Sequence, residues 1–302
     1  MHNKIMNQRG FSQLILMALA GVVLVNVTGG IWHYQKSAKQ NKSAKTPTVT
    51  TEKTKSQVAK KLAAHEMPKL LDMEFKSGVD KSDETEMRKG SKIMDFYLNE
   101  WFGHSITKKS SIRVEVTSGD SQLFEENGRF VYLWRPLSRD WQVPKQHGEQ
   151  ESRVAAHEYV HLYQINNGCA HAWRVGENPK WFIEGEADWF SFKAVNGSWS
   201  FPFWFKYVLL QMGAKPIQTY DEAQNVEGMY PYFALAVDFL MKNKDIKTLD
   251  SFCVNLGKGQ EVSVAFQNAF GVPLEKFYSD FEVYFTKTFS IPMKRGGVPP
   301  GN

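Results

Sequence analysis

Apolar and polar positions along this chain fall into three regimes. Residues 11–32, FSQLILMALAGVVLVNVTGGIW, are apolar, uncharged and about long enough to cross a bilayer as one helix. Residues 33–61 reverse the pattern, with Lys, Ser, Thr, Gln and Ala and hardly any large apolar side chain, which predicts a solvated, disordered linker. Periodic patterns take over further along. Residues 66–80 read as a lead-in segment. Residues 84–102 place Met87, Ile93, Met94, Tyr97, Leu98 and Trp101 among the apolar positions of an amphipathic helix. Residues 111–116 alternate and predict a strand, and residues 129–134, RFVYLW, follow an Asn127-Gly128 turn and predict another. Beyond residue 205 the pattern is mostly helical, and no internal repeat is apparent. The division expected is a cytoplasmic leader (1–10), a transmembrane anchor (11–32), a linker (33–65), one folded domain (66–290) and a flexible tail (291–302).

One helical stretch carries chemistry. His157-Glu158-Tyr159-Val160-His161 is an H-E-x-x-H pattern. Each helical residue advances about 100° around the axis, so residues four apart share a face and both histidines can address one metal ion. Glu158 is placed to reach a water on that ion as general base. After an Asn167-Gly168 break, a second helix start is marked by Asn178 as N-cap and Pro179 at the first helical position. The helix, PKWFIEGEADWFSFKAV, stops at Asn196-Gly197. Glu184 and Asp188 lie four apart on one of its faces. Glu184 completes a His/His/Glu set with one position open, and Asp188 can accept the second ring N–H of a ligand histidine.

HEYVH followed by WFIEGEADWF resembles the gluzincin zinc metallopeptidases, and more narrowly the small bacterial "peptidase MA-like" group. The resemblance covers roughly residues 86–286 and is specific in the two motif helices. It implies an α+β zincin-like domain, with a small N-terminal sheet over the HExxH helix and a mainly helical C-terminal part. It implies Zn2+ on His157, His161 and Glu184, Glu158 as base and Asp188 behind a ligand. It also implies a tyrosine facing the metal at the start of the helix that runs on to Leu240, with Tyr230 the first choice and Tyr232 the second. The tail GVPLEKFYSDFEVYF resembles the group's closing helix, packed under the site. An extended peptide or protein substrate would pair with the edge of the sheet. His147, His171 and the aromatic run Trp199, Phe201, Phe203, Trp204 and Phe205 read more simply as surface or core residues.

Charge narrows the partners. The chain carries +5; residues 33–61 contribute +7 and residues 1–32 contribute +2, leaving −4 for residues 62–302. The basic character therefore belongs to the tail, and a nucleic-acid partner loses its support. The lysines suit anionic head groups instead. The N-terminus admits three readings: an uncleaved signal anchor, a signal peptide cut after Ala18-Leu19-Ala20, or a prepilin-like leader cut at Arg9-Gly10-Phe11-Ser12. In the third, Ile15 stands where pilins carry glutamate. The favoured placement is a single-pass membrane protein with its domain outside the cytoplasm. Cys169 and Cys253 are compatible with one disulfide or with two unpaired small side chains. Three functions stay open: a membrane-anchored zinc peptidase, a non-catalytic envelope or pilus-associated scaffold, and a hydrolase of non-peptide amides. Oligomeric state is not readable from the sequence.

Overall fold

The computed structural model describes residues 49–67, 69–117, 122–126, 129–134, 147–169, 179–197, 206, 209–210, 214–219 and 229–293. Its helices are α1 (Val49–Ala64), α2 (Lys81–Phe102), α3 (His147–Asn166), α4 (Lys180–Asn196), α5 (Tyr230–Met241), α6 (Lys247–Gly257), α7 (Val262–Phe270) and α8 (Leu274–Phe289). The strands are β1 (Leu71–Phe75), β2 (Ser110–Val116), β3 (Gln122–Glu126) and β4 (Arg129–Trp134). The architecture is α+β. The chain divides into two units, Met1–Lys60 and Lys61–Asn302, and α1 runs across the division.

Where the sequence predicted linker, residues 49–64 are helical. The physical reason is that Lys, Gln, Glu and Ala are good helix formers whether or not they carry an apolar face. The end of this helix is tied down: Lys61 Nζ lies 3.0 Å from Glu100 of α2, and Lys92 Nζ donates to the Ala63 carbonyl at 3.4 Å. The anchor expected over residues 11–32 lies outside the described residues, and no described helix is long and apolar enough to cross a membrane.

The sheet has strand order β1-β2-β4-β3. β1 and β2 run parallel from Leu71↔Ser110 to Phe75↔Val114, with α2 as the crossover between them. β2 and β4 are also parallel, in register Ile112↔Phe130. β3 closes the order antiparallel to β4, pairing Gln122↔Leu133 and Glu126↔Arg129. Alternation buries Ser110, Ile112 and Val114 of β2 on one face. β3 is an edge strand, and it lies in contact with α3.

Two glycines bring the central helices together. A Cβ on Gly90 of α2 would fall 2.1 Å from the Ser152 carbonyl oxygen of α3. A Cβ on Gly185 of α4 would fall 2.5 Å from the Phe233 carbonyl oxygen of α5. Backbone meets backbone at both points, so only glycine fits. Between α2 and α3 a buried carboxylate, Asp95, accepts from Tyr159 Oη at 2.6 Å and from Ser105 Oγ, and pairs with His65 Nε2 at 2.6 Å.

The C-terminal helices form an aromatic layer. Phe182 of α4 meets Phe252 of α6 at 4.7 Å between centroids, and Trp181 stacks on Phe277 of α8 at 5.1 Å. Cys169, just past α3, is bonded to Cys253 of α6 in a disulfide. Beside it Gly168, at φ +101°, lies against Gly257, where an added Cβ would be 2.6 Å from the Gly257 Cα. Residues 291–293, expected to belong to a flexible tail, are instead held: Ile291 is buried and Met293 bridges to Ala214, because an isoleucine two residues past the helix finds the core within reach. Residues 294–302 lie outside the described residues.

Candidate metal centre

α3 is helical through the whole HEYVH stretch, so His157 and His161 emerge one turn apart. α4 begins at Lys180 with Pro179 in the cap position, and it ends at Gly197 in the left-handed conformation at φ 79°. The two helices pack side by side, which aims Glu184 across at the histidine pair. Three donor atoms converge. His157 Nε2 and His161 Nε2 are 3.1 Å apart, and Glu184 Oε2 is 3.3 Å from each. A tetrahedral ion with bonds of about 2.1 Å spaces its ligand atoms about 3.4 Å apart. The donor set and its spacing therefore fit a small divalent ion such as zinc. Among the described residues the other grouping of this kind is Cys169, Glu186 and Cys253, whose sulfurs are already bonded to each other.

Exposure is graded across the centre. His157 and His161 are buried, while Glu184, Glu158 and Tyr230 are half-buried. The two histidines are thus shielded, while Glu184 shares the partial exposure of Glu158 and Tyr230. The charges are mutually dependent. Burial opposes protonation of His157, but Asp188 and Glu184, with Glu158 beyond, outweigh it and hold its imidazole at about 10. His161 is raised too, against burial, chiefly by Glu184. Burial would raise Glu184, yet the two histidines reverse this and hold it well below the usual carboxylate range. Glu158 is raised, first by burial, with the two histidines opposing and Glu184 adding to the rise. A raised carboxylate is a better proton acceptor than an ordinary one.

Asp188 lies behind His157, its Oδ1 3.8 Å from Nδ1, which is long for a hydrogen bond. The same oxygen accepts from Arg153 Nη1 at 2.8 Å. Arg153, one turn before His157, stacks over Phe192 at 4.5 Å, so Asp188 sits between an arginine and His157. Behind His161 stands a group that motif reading passed over. His161 Nδ1 lies 2.9 Å from Gln164 Oε1, and Gln164 Nε2 donates to Glu186 Oε2 at 2.7 Å. Glu186 is fully buried, and burial pushes its carboxyl up to about 8. The one available sequence signal was that Gln164 follows His161 by three, on the same helix face.

The two tyrosine candidates separate. The Tyr230 ring centroid is 5.6 Å from that of His157. Tyr232 is buried on the far side of α5, where its hydroxyl donates to the Lys215 carbonyl at 3.1 Å and its ring packs on Phe285. Residues two apart on a helix point roughly 200° apart, so only one of them can face the histidines. Tyr132 of β4 is a further buried phenol near Glu158: burial raises it first, and the Glu158 charge adds to the shift. His171 and the aromatic run 199–205 lie outside the described residues.

Compared with known proteins, the chain matches no family model and no curated protein sequence.

Proposed function

We propose that this chain is a membrane-anchored, zinc-dependent peptidase built on a zincin-like α+β domain, with Zn2+ held by His157, His161 and Glu184. The observation that carries this reading is the triangle of His157 Nε2, His161 Nε2 and Glu184 Oε2, with edges of 3.1 to 3.3 Å, beside the half-buried carboxyl of Glu158. A zinc ion bound there supplies Lewis acidity and makes a bound water acidic near neutral pH.

The chain's own groups do the rest. Glu158 takes a proton from water as its oxygen adds to the peptide carbonyl carbon. The carbon–nitrogen bond then breaks, and Glu158 passes the proton to the leaving nitrogen. Tyr230, beside His157, donates to the oxyanion that develops on the carbonyl oxygen. Asp188 and Arg153 steady His157 from behind. β3, the antiparallel strand against α3 and an edge of the sheet among the described residues, would offer main-chain groups to an extended substrate. The disulfide supports a domain outside the cytoplasm, since such bonds persist in oxidising compartments. Residues 11–32 are the proposed anchor.

The test pairs metal content with turnover on the full-length chain. Wild type should hold about one zinc, Glu184→Ala should lose it, and Glu158→Gln should keep it while hydrolysis of unfolded protein substrates stops. Hydrolysis that survives Glu158→Gln sinks the mechanism.

A further inference from the structure

Gln164 is fully buried on α3, one turn beyond His161, and its carboxamide has a partner at every turn. Oε1 faces His161 Nδ1 at 2.9 Å. Nε2 faces the Ile183 carbonyl oxygen at 3.0 Å and Glu186 Oε2 at 2.7 Å. A carboxamide offers two N–H donors and one carbonyl oxygen. Both donors are claimed, and one of the two acceptors, the Ile183 carbonyl oxygen, can never donate. Flipping the amide would set its oxygen against that carbonyl, so the network selects one orientation. With Oε1 held toward His161, the imidazole must carry its proton on Nδ1. Its Nε2 lone pair is then left for the face shared with His157 and Glu184.

The anchors have a telling position. Ile183 and Glu186 flank Glu184 in the first turns of α4, so one stretch of helix supplies both an acidic ligand and the two acceptors that orient Gln164. The angle of His161, on α3, is thereby referenced to the helix that carries the third ligand. Glu186 is fully buried, within 4.8 Å of the sulfurs of Cys169 and Cys253. A buried carboxyl there costs folding free energy that an apolar side chain would not. Its hydrogen bond to Gln164 gives that cost a purpose.

We propose that Gln164 is a positioning residue that fixes the tautomer and ring angle of His161, and that Glu186 locks the Gln164 amide in the orientation this requires. The proposal rests on the reading of His157, His161 and Glu184 as a metal centre. It is tested by zinc affinity, which does not depend on finding a substrate.

The experiment is chelator competition for zinc on the full-length chain, with thermal unfolding of each metal-free variant as a control for folding. Gln164→Met keeps the side-chain length and removes all three polar contacts; it should weaken zinc binding about 10–100-fold, as does Glu186→Met. The double exchange Gln164→Glu with Glu186→Gln rebuilds an acceptor toward His161 and a donor behind it, and should return affinity to within about threefold of wild type. Should Gln164→Met fail to fold, Gln164→Glu alone should bind more weakly than the double exchange, because two carboxyls then face each other. A Gln164→Met protein that folds and binds zinc as tightly as wild type overturns the relay and leaves the metal centre standing. A wild type that takes up no zinc overturns both.

Discussion

Replacing Gly185 by alanine tests whether helix spacing sets the metal centre. The added Cβ would lie 2.5 Å from the Phe233 carbonyl oxygen, 2.6 Å from its carbon and 3.1 Å from the Phe233 Cβ. Two of those three neighbours are backbone, so no rotamer change relieves them. Contacts under 3.0 Å essentially do not occur, and α4 must retreat from α5 by at least about 0.5 Å. Glu184 is the adjacent residue, and metal–ligand distances tolerate only about 0.2 Å. Overpacking costs about 1–3 kcal/mol, and the better helix propensity of alanine returns about 0.5–1 kcal/mol, for a net loss of up to about 2.5 kcal/mol. Zinc affinity should fall at least about tenfold, although the new methyl touches no ligand. Urea unfolding and chelator competition measure the two effects separately. Gly197→Ala is the control: its φ is 79° and no described residue crowds the added Cβ, so it should cost about 1 kcal/mol and leave zinc binding alone. A Gly185→Ala protein that loses stability but binds zinc normally would refute the link between helix spacing and ion site.

Three further outcomes are expected. Zinc uptake near neutral pH should release roughly one to two protons, because His157 is held at about 10 and His161 is raised, and both must free Nε2; affinity therefore rises with pH until His157 deprotonates by itself. Calorimetry in buffers of different ionisation enthalpy reads this directly, and zero release would contradict the charge pattern. Tyr230→Phe should lower kcat about 100-fold with little change in KM, whereas Tyr232→Phe should act on stability and not on kcat. Serine at both Cys169 and Cys253 should cost about 4.5 kcal/mol of unfolding free energy for a link across 84 residues, and a loss below about 1 kcal/mol in urea would show that the clasp is idle.

The residues of the centre were legible because their spacing is a property of one helix at a time. His157 and His161 are four apart on α3, and Glu184 and Asp188 are four apart on α4. What crosses between helices was not legible. Gln164 matters through a hydrogen bond to Glu186 that no periodicity encodes. Tyr230 stood before Tyr232 only by the resemblance; the docking of α5 sets Tyr230 beside His157 and turns Tyr232 away. Among the strands, β2 announced itself by alternation and β4 by the Asn127-Gly128 turn ahead of it. β1, LDMEF, and β3, QLFEE, did not: both are five-residue edge strands with acidic positions, and such strands carry the weakest pattern. Helix α1 was hidden by composition, since a polar helix has no face to betray it.

The clasp between Cys169 and Cys253 also sets an order of events in the life of the chain. Synthesis runs from the N-terminus, and His157, His161 and Glu184 all precede Cys253. A nascent chain therefore displays its complete donor set before the second sulfur exists. The bond that fastens the end of α3 to α6, where Gly168 and Gly257 close on each other, can form only after that interval. The donor set is thus on the chain before the bond that fastens its first helix to α6 can exist.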